Sequence, residues 1–165
     1  MASQDPHHHV HLVERFTLCN KILMRTGFYG FMIIGAYGIY GESILWGFIY
    51  VCFCILGLMV GLSCFLCNHC PYPYKHSDCL FVPFWVFTKH YTFRSAPMSG
   101  LDKTVVILSF AGFILIPQYW LAKNYTILIL FWILCLPTIA SLPLFWCRRC
   151  KNFHCSFNLV NEEFK

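Results

Sequence analysis

Charge is what this sequence has least of. Of its 165 residues only 12% are Asp, Glu, Lys or Arg, while 58% are hydrophobic and 19% aromatic. Soluble chains carry about 25% charged residues. A chain this small is mostly surface, so a large core does not account for the difference. Lipid must be part of the solvent. The scarcity is sharpest inside the apolar runs, where no Asp, Glu, Lys or Arg stands at a centre; Glu42 lies at a turn and Arg25 at an edge. Proton pumps, ion-coupled transporters and channels for charged substrates place such groups at mid-membrane, which argues against that class. No histidine lies within a run either, which argues against a bis-histidine haem in the bilayer. Phosphate-binding loops, Gly-x-Ser-x-Gly elbows and His-Glu-x-x-His are absent too, so nothing in the chain calls for an enzyme. The net charge of +5 is not gathered on a polar module, and nucleic acid is not an expected partner.

What remains reads as one all-α integral membrane domain over 1–165, with four transmembrane helices arranged as two hairpins. Residues 1–10 form a polar, disordered tail without the apolar stretch of a secretory signal. Its His7, His8, His9 and His11 have no preorganised geometry for a metal and read as an incidental tract. Leu12, Phe16, Cys19 and Leu23 recur at helical spacing, which predicts an amphipathic helix over 11–25 at the headgroup level. The first span covers 26–41 and is completed backwards by Ile22 to Met24, with Arg25 snorkelling to the interface. Gly27, Gly30, Gly35, Gly38 and Gly41, then Gly57 and Gly61 in the second span (44–66), form smooth faces for close helix approach; packing within the chain is favoured over dimerisation.

A cysteine-rich, aromatic loop follows over 67–103. Pro83, Trp85 and Tyr91 mark an interfacial helix in it, and Ser99-x-x-Asp102 a capped helix start. The third span covers 104–121. The fourth covers 126–146, with Pro137 and Pro143 inside it, and a cysteine-containing tail runs over 147–165, partly disordered from Ser156. Eleven of the twelve basic residues flank the spans on one side and only Lys123 on the other. The positive-inside rule then places both termini and both cysteine groups in the cytoplasm. The sequon Asn124-Tyr125-Thr126 lies on the other side, pressed against the membrane, and is read as chance.

Against these scarcities stands an abundance of cysteine, eleven residues in all. Cys64-x-x-Cys67-x-x-Cys70 ends the second span, and Cys147-x-x-Cys150 ends the fourth. The cytosol keeps thiols reduced, so clustered cysteines there point to metal or redox chemistry rather than structural disulfides. Two residues between cysteines let both thiolates reach one ion, and two such knuckles complete a tetrahedron. Cys67, Cys70, Cys147 and Cys150 are therefore the first candidate metal set. Cys64, Cys79, Cys155, His69, His76 and His154 flank it as further candidates. The same hairpin-plus-CxxC pattern occurring twice suggests a parallel duplication. Cys52, Cys54 and Cys135 are mid-span and read as small apolar residues.

Zinc is the least demanding occupant and ranks first. A [4Fe-4S] cluster ranks second, from the ferredoxin-like opening spacing at Cys64, although no cysteine follows Cys70 by three positions. Thiol–disulfide exchange at one CxxC pair ranks third. Four-helix membrane thiol oxidoreductases of the DsbB and vitamin K epoxide reductase kind are similar in architecture but act mainly on the oxidising side. Cys67-Asn-His-Cys70 is similar to part of the Asp-His-His-Cys motif of membrane palmitoyltransferases and lacks its aspartate and first histidine. The resulting expectation is a small membrane anchor, assembly or interaction subunit with a cytoplasmic-face zinc site, working in the bilayer with other membrane or membrane-associated subunits. The alternative is an iron–sulfur electron-transfer or quinone-reactive subunit of a redox complex.

Overall fold

The computed structural model describes residues 12–76, 79–82, 93–153 and 155–160. The polar tail through residue 11, the interfacial helix expected from Pro83, His154 and residues 161–165 lie outside the described residues. Among the described residues four helices are long and apolar enough to cross a membrane: Leu18–Glu42, Ile44–His69, Gly100–Leu121 and Tyr125–Arg149. They are spans one to four below. Among the described residues there is no strand, only an isolated bridge pairing Val13 with Cys150.

Span one is a single helix from Leu18, where the Thr17 hydroxyl caps the Asn20 N–H at 3.3 Å. Residues 12–17 before it are not helical. The stripe from Cys19 to Leu23 therefore belongs to the first turns of the span rather than to a separate surface helix. Ser43, extended at φ −156° and ψ 115°, breaks the chain for one residue before span two begins. At the start of span three the expected capping box is present: Ser99 accepts from the Asp102 N–H at 3.2 Å, and the Asp102 carboxylate accepts from the Ser99 N–H at 2.8 Å. Asn124 caps span four by accepting from the Ile127 N–H, which gives the sequon asparagine a structural role.

Lipid tails are as apolar as leucine, so packing rather than escape from water holds such helices together. Phe28, Phe31, Phe113 and Phe131 are fully buried at the centre. They meet edge to face, with centroids 5.4 Å apart for Phe28–Phe31, 6.0 Å for Phe28–Phe113 and 5.5 Å for Phe31–Phe131. Each such contact contributes about 0.5–1.5 kcal/mol beyond its area. The glycine faces serve this core. A Cβ on Gly57 would sit 2.6 Å from the Phe113 ring, and one on Gly38 would meet Leu121. The outward residues, among them Ile33, Leu45, Leu130 and Ile133, are exposed and apolar, which suits contact with a bilayer.

Span one packs along both span two and span four, and span three leans on span two around Gly57–Leu62. Spans three and four meet mainly through the last helical turn of span three, Gln118–Leu121. At their other ends they stand apart, and this gap forms part of the site described next.

Spans two and four finish alike. Each passes through a π-helical turn, Gly57–Leu62 in one and Leu142–Trp146 in the other. In span two the Ser63 hydroxyl answers the widened turn by donating to the Leu58 carbonyl at 2.9 Å. Each span then tightens into a 3₁₀ turn over Cys67–His69 or Cys147–Arg149. Each leaves that turn at an extended cysteine, Cys70 with ψ 125° and Cys150 with ψ 127°. The CxxC duplication in the sequence is thus matched by a duplicated backbone path.

Candidate functional site

A tight turn that ends in an extended residue leaves backbone N–H groups pointing back at the second cysteine, and both halves use this. The Asn152 N–H donates to the Cys150 sulfur at 3.4 Å, and the Tyr72 N–H donates to Cys70. In both cases the donor is two residues beyond the sulfur. The third cysteine of each half repeats the device. Cys79 accepts from the Phe81 N–H and, at 3.4 Å, from the Val82 N–H. Cys155 accepts from the Phe157 and Asn158 N–H groups. Each half therefore offers a CxxC pair and a following cysteine whose sulfur is set by the backbone.

The two trios face each other. Cys67, Cys70, Cys79, Cys147, Cys150 and Cys155 all line one cavity of about 680 Å³. The Cys67 and Cys79 thiols are hydrogen-bonded to each other, and both are buried. All eleven cysteines are free thiols. Among the described residues no three Cys, His, Asp or Glu side chains converge closely enough to hold an ion as they stand. The thiols surround the cavity rather than meeting at its centre.

The remaining candidates sit elsewhere. Cys64 does not line the cavity; its thiol is directed at the Met59 carbonyl, 3.8 Å away, on the span-two helix. Buried His69 also turns away from it. Its Nδ1 bonds the Ala96 carbonyl at 2.8 Å and its Nε2 lies 3.5 Å from the Asp102 carboxylate, so it ties the CxxC turn to the start of span three. His76 ends the short helix Pro71–His76, but its side chain, like all of His154, is outside the described residues.

The thiols differ electrostatically. Burial pushes Cys70 well up, with the neighbouring Cys79 adding to the shift and the Tyr72 N–H opposing it. Cys150 is pushed up to about 11 by burial, against the donation from Asn152. Cys155 also rises through burial, opposed by the Phe157 and Asn158 N–H groups. Cys79 moves the other way. The Cys67 thiol donates to it, its two backbone N–H donors add to this, and the Arg25 guanidinium lies nearby; together these outweigh its burial.

Four residues that hold the site escaped the sequence reading. Arg25 is held by the protein: its guanidinium donates to the Cys79 carbonyl at 2.8 Å and the Val82 carbonyl at 3.3 Å, and its buried Nε has no partner among the described residues. One turn later the Tyr29 hydroxyl donates to the Phe81 carbonyl at 3.0 Å. Tyr72 joins the halves by donating to the Val13 carbonyl and accepting from the Lys151 N–H at 3.0 Å. Asn158 braces the second loop by donating to the Cys150 and Asn152 carbonyls, both at 2.8 Å. A visible signal existed for one of them: Tyr72 stands two residues after a CxxC cysteine.

Compared with protein-family models, curated proteins and solved structures, the chain matches none.

Proposed function

We propose that this chain is a small multi-pass membrane protein whose two halves are clasped at one bilayer face by a metal–thiolate centre holding zinc. The observation that carries the reading is the convergence of six thiols, three from each half, on one cavity. Backbone N–H donors at Cys70, Cys79, Cys150 and Cys155 support it, since they favour the thiolate form that a metal requires. Cys67, Cys70, Cys147 and Cys150 are the knuckle ligands. Cys79 and Cys155 extend the set, either replacing a knuckle thiol or bridging to a second ion. Binding draws the thiols inward from the walls of the cavity, so metal uptake and closure of the clasp are one event.

On this reading the chain is a non-catalytic anchor or assembly subunit. Its termini and both cysteine groups face the cytoplasm, supported by the asymmetry of Lys and Arg. The basic, aromatic loop over 67–103 is the docking surface for a membrane-associated partner. Anaerobic purification in mild detergent followed by metal analysis tests the centre: zinc at one equivalent per chain or more, in a colourless sample, is expected. Impermeant thiol labelling in right-side-out vesicles tests the topology. Cys147 and Cys150 should stay unlabelled until the membrane is permeabilised, and labelling from outside would reverse the orientation.

A second reading is favoured by the shape of the cavity, which runs from the thiols down between spans three and four. A [4Fe-4S] cluster on the same thiols would stand beside a lipid-accessible cleft, as an electron-transfer or quinone-reactive subunit requires. Brown colour with iron and inorganic sulfide in the anaerobic sample would select this reading over zinc.

A further inference from the structure

The end of span two and the loop over 79–82 bring the Cys67 and Cys79 thiols into hydrogen-bond contact, with Cys67 as the donor. The two share a small apolar cluster with Val82, packed against Phe81. Cys67 is 3% exposed and Cys79 6%. The second half is arranged otherwise. There Cys150 is hydrogen-bonded to the Asn152 N–H and the Tyr72 side chain, and Cys155 to the Phe157 and Asn158 N–H groups. Those two sulfurs are held by groups other than thiols.

The Cys67–Cys79 pair is also asymmetric. Besides the Cys67 thiol, the Cys79 sulfur accepts from the Phe81 and Val82 N–H groups. The Arg25 guanidinium, which grips this loop through the Cys79 and Val82 carbonyls, stands near it. Cys79 is therefore the electron-rich sulfur, and Cys67 aims its proton at it. A sulfur so placed is the one an oxidant takes first, and a thiol in contact with it turns the product into a disulfide. That disulfide carries no S–H group, so it suits the apolar cluster better than two thiols do. Burial also selects the oxidant. Thiols this deep are closed to a protein or peptide disulfide, whereas the cavity that both residues line admits small uncharged molecules. A hydroperoxide is a two-electron oxidant of that size and charge.

We propose that Cys67 and Cys79 form a dithiol that a hydroperoxide oxidises to a disulfide. The Cys79 sulfur attacks one peroxide oxygen, the O–O bond breaks, and the other oxygen leaves with the thiol proton, as water in the case of hydrogen peroxide. Cys67 then attacks the Cys79 sulfenic acid. The S–S bond forms, the S–O bond breaks, and the hydroxyl leaves as water with the Cys67 proton. The two thiols lose two electrons and the peroxide gains them. The consequence for the clasp rests on the zinc reading above: the disulfide takes Cys67 out of the knuckle set, and bound zinc shields Cys67 from oxidation. Cytoplasmic disulfides are typically transient and redox-sensing, which fits a bond that competes with a metal.

The test treats the full metal-free chain in lipid nanodiscs with hydrogen peroxide and maps cross-links by differential alkylation and peptide mass spectrometry. The Cys67–Cys79 disulfide should form first, and at the same rate in Cys155→Ser. Dimedone, a sulfenic-acid probe added with denaturant after the peroxide, should mark Cys79 in Cys67→Ser and leave Cys67 unmarked in Cys79→Ser. Preloading the unaltered chain with zinc should prevent the cross-link. If the serine variants do not fold, the order of cross-links in the unaltered chain decides. A first cross-link at Cys67–Cys70, at Cys147–Cys150 or between the halves would overturn the proposal, as would sulfinic acid without any cross-link or dimedone on Cys67. Zinc analysis of the unoxidised sample separates the claims. A Cys67–Cys79 cross-link in a chain that takes up no zinc sinks the clasp alone. Zinc uptake with a different first cross-link sinks this inference alone, and a zinc-loaded chain that joins this pair as fast as the metal-free one sinks the competition between them.

Discussion

The two cysteine halves share a backbone path and differ in what holds them. The first, Cys67, Cys70 and Cys79, is fastened to the bundle interior: Arg25 and Tyr29 of span one grip the loop over 79–82, and His69 reaches span three. The second, Cys147, Cys150 and Cys155, is fastened mainly to chain outside the bundle. The Val13 N–H donates to the Arg149 carbonyl at 2.8 Å, Lys151 pairs with Glu14 at 2.6 Å, and Asn158 braces the loop from the tail. Cys67 and Cys79 are buried, while Cys147, Cys150 and Cys155 are partly exposed. If a metal joins the two halves as proposed, the first would be the preformed jaw of the clasp and the second the jaw that closes.

The largest effect should come from the first jaw. Cys79→Ser removes the thiol whose pKa is held down and leaves the Val82 and Phe81 N–H groups facing a hydroxyl. Zinc affinity should fall more than about 100-fold, beyond the roughly 10–100-fold typical of losing an outer-shell partner. Cys155→Ser should cost less, and Cys64→Ser nothing, in the same competition titration against a chromogenic chelator. Equal losses at Cys79, Cys155 and Cys64 would erase the distinction between the jaws.

Arg25→Met comes next. It removes two charge-assisted hydrogen bonds, about 1.5–3 kcal/mol each, and the positive charge beside Cys79. Alkylation of Cys79 in the metal-free protein should quicken as its loop loosens, while that of Cys150 stays as it was. Tyr72→Phe probes the hinge between the jaws. It strips the Lys151 N–H of its acceptor at a buried site, at a cost of about 1–3 kcal/mol. Here Cys150 should become more reactive and Cys79 should not.

The smallest effect is on pH. Burial raises the Cys70, Cys150 and Cys155 thiols above their unfolded value of 9.0. The folded metal-free protein thus holds protons that the unfolded chain has already released. The stability they contribute is complete below pH 9 and declines as the pH rises through the folded value, about 11 for Cys150. Urea midpoints of the metal-free protein should fall between pH 9 and 11, and those of the Cys70→Ser/Cys150→Ser/Cys155→Ser variant should fall less.

Much of the frame was legible in the sequence because lipid imposes simple rules. Long apolar runs mark spans, glycine spacing marks close packing, and Ser99-x-x-Asp102 marks a cap. The cysteines could be paired because spans two and four must end at the same face. What could not be read were contacts that depend on where side chains cross. Arg25 looked like any arginine at a membrane edge, and only the fold brings the Cys79 carbonyl, 54 residues away, to its guanidinium. His69 looked like a ligand because it stands inside a CxxC motif, yet the 3₁₀ turn carries its ring to Ala96 and Asp102. The tail from Ser156 looked partly disordered from composition, with no sign that Asn158, within the described stretch to residue 160, would bond the second knuckle. The cleft left no sequence signal, since its walls are ordinary apolar residues of two spans.

Metal content of the intact protein, purified without air, tests the account most directly when measured together with the number of thiols that react with a small alkylating agent before and after chelation. The account predicts at least one zinc per chain, and protection of Cys67, Cys70, Cys79, Cys147, Cys150 and Cys155 that chelation releases. Metal-free protein in which all six thiols react equally with and without chelator, and in which added zinc protects none of them, would contradict it.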